Sequence, residues 1–388
     1  MIRHTRGRVG LVLTFALFVL LGLPEGVLGT AWPSMRRAFD QPVSSLAWLG
    51  ALYTVGYLLS TVVSGHLSER FGVSKTLRGG IVLTVVGLGC YAIAPSWWLA
   101  LVAATASGLG GGTVDATGNA YCAVVGGVRS MNLLHAMFGV GATAGPILVT
   151  ISLDVGAGWR TVYAVMLGVE MVLLLAAIRY RAEFRVPIEE EVAVATRRPM
   201  PRRLLGLMLV IFFFYVSSEA AYGQWSFSVL TDERGVGTTL AGWVVAGYWG
   251  GLTVGRLLLG YLGSRVEPTR LLQASLVSIV VGALVFWFDP VPGLDLLALP
   301  WLGFAMAGVF PALVLVTPAW LGPGNTGRAV GYQLAASSFG VITVSALIGV
   351  VVAEQGLEAM PVVAAALTVG TLVAFQLARA EVASTVRG

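Results

Sequence analysis

Charge is what this chain has least of. Of its 388 residues only 11% are Asp, Glu, Lys or Arg, against about 25% in an ordinary soluble domain. Hydrophobic residues make up 57%. A water-soluble globular fold is excluded by that balance. Cysteine is scarce too. Cys90 and Cys122 both sit inside apolar runs, so no disulfide or metal framework is indicated. The chain has no G-x-x-x-x-G-K-[ST] loop, which argues against ATP drive. No cofactor is implied. The net charge of +5 does not point to nucleic acid, because the bases cluster between apolar runs.

What is present is apolar length. Runs of about 20 residues recur, enough to cross a hydrocarbon core of roughly 30 Å at 1.5 Å per residue. Lipid offers no partner for an exposed amide, so the backbone in each run is expected to be helical. Expected spans are 10–32, 44–65, 76–95, 98–125, 132–153 and 159–179 in the first half. The second half gives 204–230, 239–263, 271–288, 295–320, 328–353 and 360–379. The first run follows Arg3, His4, Arg6 and Arg8, as a cleaved signal peptide would. It carries Glu25 and no clear small-residue cleavage site, so it reads as a retained helix.

The chain is organised around a charged island between two runs, residues 65–75, GHLSERFGVSK. A weaker copy, GYLGSRVEPTR at 260–270, returns half a chain later. Arg70 corresponds to Arg265, Lys75 to Arg270, Gly56 to Gly251 and Leu77 to Leu272. Such self-similarity predicts two similar halves. These are 1–180 and 204–388, each a six-helix bundle, joined by a basic linker at 181–203 that holds Pro187, Pro199, Pro201 and the acidic run 189–191.

Twelve spans put both termini on one side. All of the 24 basic residues except Arg36, Arg37, Arg160 and Arg234 then share that side. This bias makes it cytoplasmic and predicts a multi-pass protein of the plasma (inner) membrane. Asp154, Asp232, Asp289, Glu354 and Glu358 fall on the outer side.

The six-plus-six organisation, the long basic centre and a G-x-L-x-[DE]-R-x-G pattern (Gly65, Leu67, Glu69, Arg70, Gly72) resemble the major facilitator superfamily. Glu69 stands where that family usually has aspartate. Val73 and Ser74 stand where bases are common, with Lys75 one place later. Asp115-x-x-x-Asn119, Asn132-Leu-Leu-His135 and Phe138-Gly139-x-Gly141-x-x-x-Gly145-Pro146 are similar to the fucose-permease and hexose–proton symporter group, as is Glu219 before Gln224 and Trp225. The resemblance implies a monomeric secondary active transporter that moves a small polar solute, a sugar, with protons. Alternating access between the two halves, with the solute bound at the midplane between them, would drive it. Gly141-x-x-x-Gly145-Pro146 also resembles the antiporter motif of drug exporters, although Thr150 and Ile151 stand where that motif has a glycine pair. A drug–proton antiporter is thus the second reading, and a non-transporting receptor on the same fold is the third.

Ionisable groups inside spans carry the functional signal, because an unpartnered charge there costs several kcal/mol. They are Glu25, Asp115, His135, Glu170 and Glu219, with Arg256 near a span end. Asp115 and Asn119 lie one helical turn apart on one face. Asp115 is the expected proton-coupling group, with Glu25 and then Glu219 as rivals. Asn119, Gln224, Trp225, Tyr332, Gln333 and His135 are candidate solute contacts, and Glu170 reads as structural. Gly65, Glu69, Arg70, Gly72 and Lys75 form a candidate gating loop. Glycine, 50 residues, is placed for close helix packing in lipid.

Overall fold

The computed structural model describes residues 8–184, 200–262 and 267–387. Arg3, His4, Arg6, Arg265 and most of the expected linker, including Arg185, Arg197, Arg198, Pro187, Pro199 and the acidic run 189–191, lie outside the described residues. Regular structure among the described residues is helical throughout.

The first helices are α1 (Arg8–Ala38), α2 (Leu46–Phe71), α3 (Val73–Ile93), α4 (Trp97–Asp154) and α5 (Trp159–Arg179). Then come α6 (Arg202–Ser228), α7 (Thr238–Leu262), α8 (Pro268–Phe288), α9 (Asp295–Met306), α10 (Val309–Leu321), α11 (Thr326–Gln355) and α12 (Ala359–Arg387). Among the described residues, ten helical segments are long and apolar enough to cross a membrane. The stretches 98–125 and 239–262 are helical as well, within α4 and α7, and are richer in glycine and polar residues. Side chains such as Trp48, Val62, Ile93, Leu175 and Phe339 are exposed, as a lipid-facing surface requires.

Two elements differ from the sequence expectation. Spans 98–125 and 132–153 are not separated by a coil, since all 58 residues of α4 are helical in conformation. The chain nevertheless doubles back near Gly126, where a Cβ would strike Ser130. Contacts with α1 show the reversal. In the first arm Gly111 lies by Leu21, Gly118 by Phe18 and Tyr121 by Gly10. In the second arm Phe138 lies by Gly22 and Ala142 by Gly26. The second difference is span 295–320, which is two helices interrupted at Ala307 and Gly308. Pro311 has no N–H to continue the ladder from α9, so it suits only the first turn of a new helix, and there it stands.

The chain divides into two compact units, Met1–Glu190 with Gly237–Ala246, and Glu191–Val236 with Gly247–Gly388. In the first unit α4 packs against α1, α2 and α3, and α3 against α5. Burying apolar side chains gains little between helices already in lipid, so close backbone approach has to hold them together. Gly22 and Gly141 provide it, because a Cβ on either would collide with the carbonyl of Phe138 or Val19 on the facing helix. In the second unit α6 packs on α11 and α12, and α8 on α9, α10 and α12.

One end of the second unit is tied by Arg234, just past a π-helical turn, Val229–Glu233. Its guanidinium donates to both carboxylate oxygens of Glu358 at 2.7 and 2.8 Å, to Asp295 Oδ2 at 2.9 Å and to the Phe286 carbonyl at 2.8 Å. It also lies 4.9 Å from the centre of the Phe286 ring. Burial opposes the charge, but the hydrogen bonds and charges of Glu358 and Asp295 prevail and raise its pKa above the ordinary arginine range.

Candidate functional site

In the first unit, α1, α2 and the first arm of α4 bring together two carboxyls and two tyrosines. Asp115 and Asn119 are four residues apart on α4, so their side chains meet. Asn119 Nδ2 donates to Asp115 Oδ1 at 2.9 Å and to the Asp115 carbonyl at 3.0 Å. The Tyr57 hydroxyl, from α2, donates to the same carboxylate. Tyr53 stands one turn before Tyr57, with ring centroids 6.1 Å apart, and senses the charges of both Glu25 and Asp115. Gly111 makes room for this group. A Cβ there would meet the Tyr53 hydroxyl, the Tyr57 ring and Leu21. No ion pair to Asp115 occurs within this unit among the described residues. Two donors thus serve one carboxylate with no neutralising cation, and a proton arriving at Asp115 would turn one acceptor oxygen into a donor.

Tyr53 and Tyr57 did not stand out in the sequence, although their i, i+4 spacing in an apolar run is the trace they leave there. Glu25 lies on α1, where the cluster surrounding Tyr53 includes its charge. His135 is on the second arm of α4, exposed, with its ring edge-on to Phe18 at 6.4 Å. Glu170 lies elsewhere, on α5. It is 2% exposed, and its Oε2 has no hydrogen-bond partner among the described residues.

In the second unit the carboxylate is Glu219 on α6. Tyr215, one turn earlier, donates to Glu219 Oε2, and Arg256 Nη2 on α7 lies 3.5 Å from Oε1. The Tyr248 hydroxyl donates to the Glu219 carbonyl at 2.8 Å. Gln224 is nearly buried, with Ser345 Oγ 3.5 Å from its Oε1. Trp225 is completely buried. Gln333 is also buried and pairs with Thr317, its Nε2 donating at 3.1 Å, while Tyr332 is exposed. The candidate solute contacts of this unit therefore do not share one surface. Gln224 and Trp225 come from one helix, while Tyr332 and Gln333 lie on α11.

The segment 65–75 is mostly helix. α2 runs to Phe71, α3 starts at Val73, and only Gly72 lies between them. Gly72 has φ 83°, a left-handed conformation that glycine adopts at no steric cost. Glu69, Arg70 and Lys75 are exposed, and the Arg70 guanidinium lies 5.3 Å from the centre of the Phe71 ring. Ser74 Oγ donates to the Arg181 carbonyl at 3.1 Å, tying this corner to the end of α5.

Known proteins extend the picture. The chain is 22% identical over 351 residues to the glucose/mannose transporter GlcP of Bacillus subtilis, covering 86% of each chain. It is 24% identical over 378 residues to the human sodium-dependent glucose transporter 1, covering 86% of this chain and 72% of that one. Its fold matches the crystal structure of a D-xylose–proton symporter with a TM-score of 0.73 at 16% identity, over 94% of this chain and 96% of that one. The profile of the Major Facilitator Superfamily matches residues 14–217 and 207–387, nearly the whole chain. With twelve helices in a two-domain arrangement, this chain is a membrane transporter, not an enzyme, and belongs to the Major Facilitator Superfamily.

Proposed function

We propose that this chain is a secondary active transporter that carries a sugar together with protons by alternating access. The observation that carries the reading is the group around Asp115, a membrane-embedded carboxyl with two hydrogen-bond donors, a second carboxyl nearby and no cation paired to it in its unit. Ionised, such a group costs several kcal/mol in a membrane interior, so a proton taken from one side and released on the other relieves that cost in each cycle. Asp115 is the coupling group in this scheme. Tyr57 and Asn119 orient its oxygens, and Asn119 is also placed to hydrogen-bond a solute hydroxyl. Tyr53 and Tyr57 offer ring faces of the kind on which a sugar stacks. Gln224 is the proposed contact from the second unit.

The sugar class is supported by the two glucose transporters that align with most of the chain. The proton is supported by a carboxyl that has no cation paired to it in its unit among the described residues, and by the shared fold with a proton symporter. The reading also puts a monomer in the plasma membrane with both termini in the cytoplasm, because the basic residues collect on one side. The corner at Gly72, with Glu69 and Arg70 beside it, would act as the gate.

The experiment is uptake of a labelled sugar panel into proteoliposomes under an imposed pH gradient, with and without sodium. Accumulation of one sugar driven by the pH gradient alone supports the proposal. Sodium dependence without a pH response would replace the proton by sodium, as the human relative's name suggests. Competition by hydrophobic cations but not by sugars would favour drug export.

A further inference from the structure

The second unit holds a charged group that the scheme above leaves unused. Glu219 and Arg256 face each other from α6 and α7 at 3.5 Å, with 17% and 27% of their side-chain surface exposed. The charged and titratable groups facing Glu219 from these helices are Arg256 and Tyr248 on α7 and Tyr215 on α6. From α9 comes the Met306 carbonyl, which the Tyr215 hydroxyl also approaches at 2.9 Å. Tyr215 has a single proton to give and two acceptors in reach. A charge-assisted bond is about twice as strong as a neutral one, so a carboxylate at Glu219 is the better acceptor of that hydrogen bond. The Tyr248 hydroxyl fixes the Glu219 backbone in turn, at the carbonyl one turn of α6 below Gly223 and Trp249.

Two contacts thus hold the Glu219 carboxylate itself, the guanidinium at Oε1 and the phenol on Oε2, while the clamp on its backbone carbonyl fixes the main chain beneath it. Asp115 has two hydrogen bonds but no cation in its unit. These two carboxyls, among the four inside spans, are therefore built for opposite purposes. We infer that Arg256 is a positioning residue that holds the Glu219 side chain in an ion pair, so that Glu219–Arg256 is a fixed, internally neutralised pair of the second unit and not a second proton carrier. Together with Tyr215, the pair presents a rigid acceptor–donor edge, and protons move only through the first unit. This rests on the transport reading above and sharpens it, since it predicts one coupling carboxyl per cycle.

The test uses Glu219→Gln, Arg256→Gln and the double variant in proteoliposomes, read by sugar counterflow, which needs no net proton movement. An unpaired carboxylate can recover neutrality by taking a proton, whereas an unpaired guanidinium cannot lose one. Arg256→Gln should therefore lose counterflow by roughly tenfold or more near pH 8 and regain most of it near pH 5.5, because acid favours the neutral form of a carboxyl left without its counter-ion. Glu219→Gln should be impaired at both pH values. The double variant should return to within about threefold of the unaltered protein at either pH, since no charge is left unpaired. A double variant no better than Arg256→Gln, with no recovery in acid, would overturn the inference. So would Glu219→Gln that loses gradient-driven accumulation while keeping full counterflow, because Glu219 would then be a proton carrier. Thermal unfolding of the same purified variants at the two pH values needs no substrate. If the unaltered protein exchanges no sugar, the transport reading fails, and the unfolding series still decides whether the pair is neutralised as described.

Discussion

Replacing Arg234 by methionine keeps the length of its apolar stem but removes its charge contacts with Glu358 and Asp295. The main loss is at Asp295, whose side chain is only 4% exposed, so its carboxylate would be left buried without a counter-ion. Breaking a buried pair from one side costs about 3–5 kcal/mol. The Glu358 contact adds little, because that side chain is 43% exposed and solvent screens it; such pairs contribute about 0–1 kcal/mol. The stacking on Phe286 is of similar size, about 0.5–2 kcal/mol. These losses overlap, and about 4 kcal/mol in all is expected. The double variant Arg234→Met/Asp295→Asn removes the stranded charge and should recover more than half of that loss. Equilibrium unfolding of the purified protein in detergent measures both. If Arg234→Met costs less than about 1 kcal/mol, or Asp295→Asn restores nothing in that background, the buried-pair argument is wrong.

Other consequences are simpler to check. Glu69→Gln should lower transport far more than sugar binding if the corner at Gly72 stabilises one facing state; equal losses in both would remove the gate. Glu170→Leu should raise stability by about 1–3 kcal/mol, because it replaces a buried carboxyl whose Oε2 has no partner; destabilisation would reveal a partner that the packing does not suggest. Glu267 caps α8, and hydrogen bonds from Thr269 (side chain and backbone) and from the Arg270 N–H hold its carboxyl below the usual 4.5. The cap's contribution is therefore present above that range and lost as pH falls through the lowered value. Amide protection at Thr269 and Arg270 should drop only there, and Glu267→Gln should abolish the pH response.

Much of the fold was legible because a bilayer leaves few choices. A run of about 20 apolar residues has to be a helix, and run counting needed no knowledge of packing. Where helices turn was less legible. Residues 126–131 carry glycine and arginine, which suggested a loop, yet the assignment there is helical, and it is the contacts of the two arms with α1 that reveal the reversal. The segment 65–75 looked like a loop for the same reason, its charges, when only Gly72 leaves the helix. The break at Ala307 and Gly308 was foreshadowed by Pro311, but a proline signals either a kink or a new helix, and sequence does not say which.

The site divides in the same way. Asp115 and Asn119 sit on one helix at a spacing that joins them, so local rules were enough to find them. Tyr57 reaches Asp115 from another helix, and its sequence neighbourhood resembles any aromatic in an apolar run. Arg256 was visible as a charge near a span end, but its partner Glu219 lies on a different helix, and only the fold supplies that contact.

The most direct test of the central claim is Asp115→Asn in proteoliposomes, assayed for gradient-driven accumulation and for counterflow of the same labelled sugar. Asparagine keeps the shape and most of the hydrogen bonding but cannot take up a proton at the carboxyl. The account predicts that accumulation is lost while counterflow largely persists. Accumulation that survives in Asp115→Asn but fails in Glu25→Gln would contradict it and move proton coupling to α1.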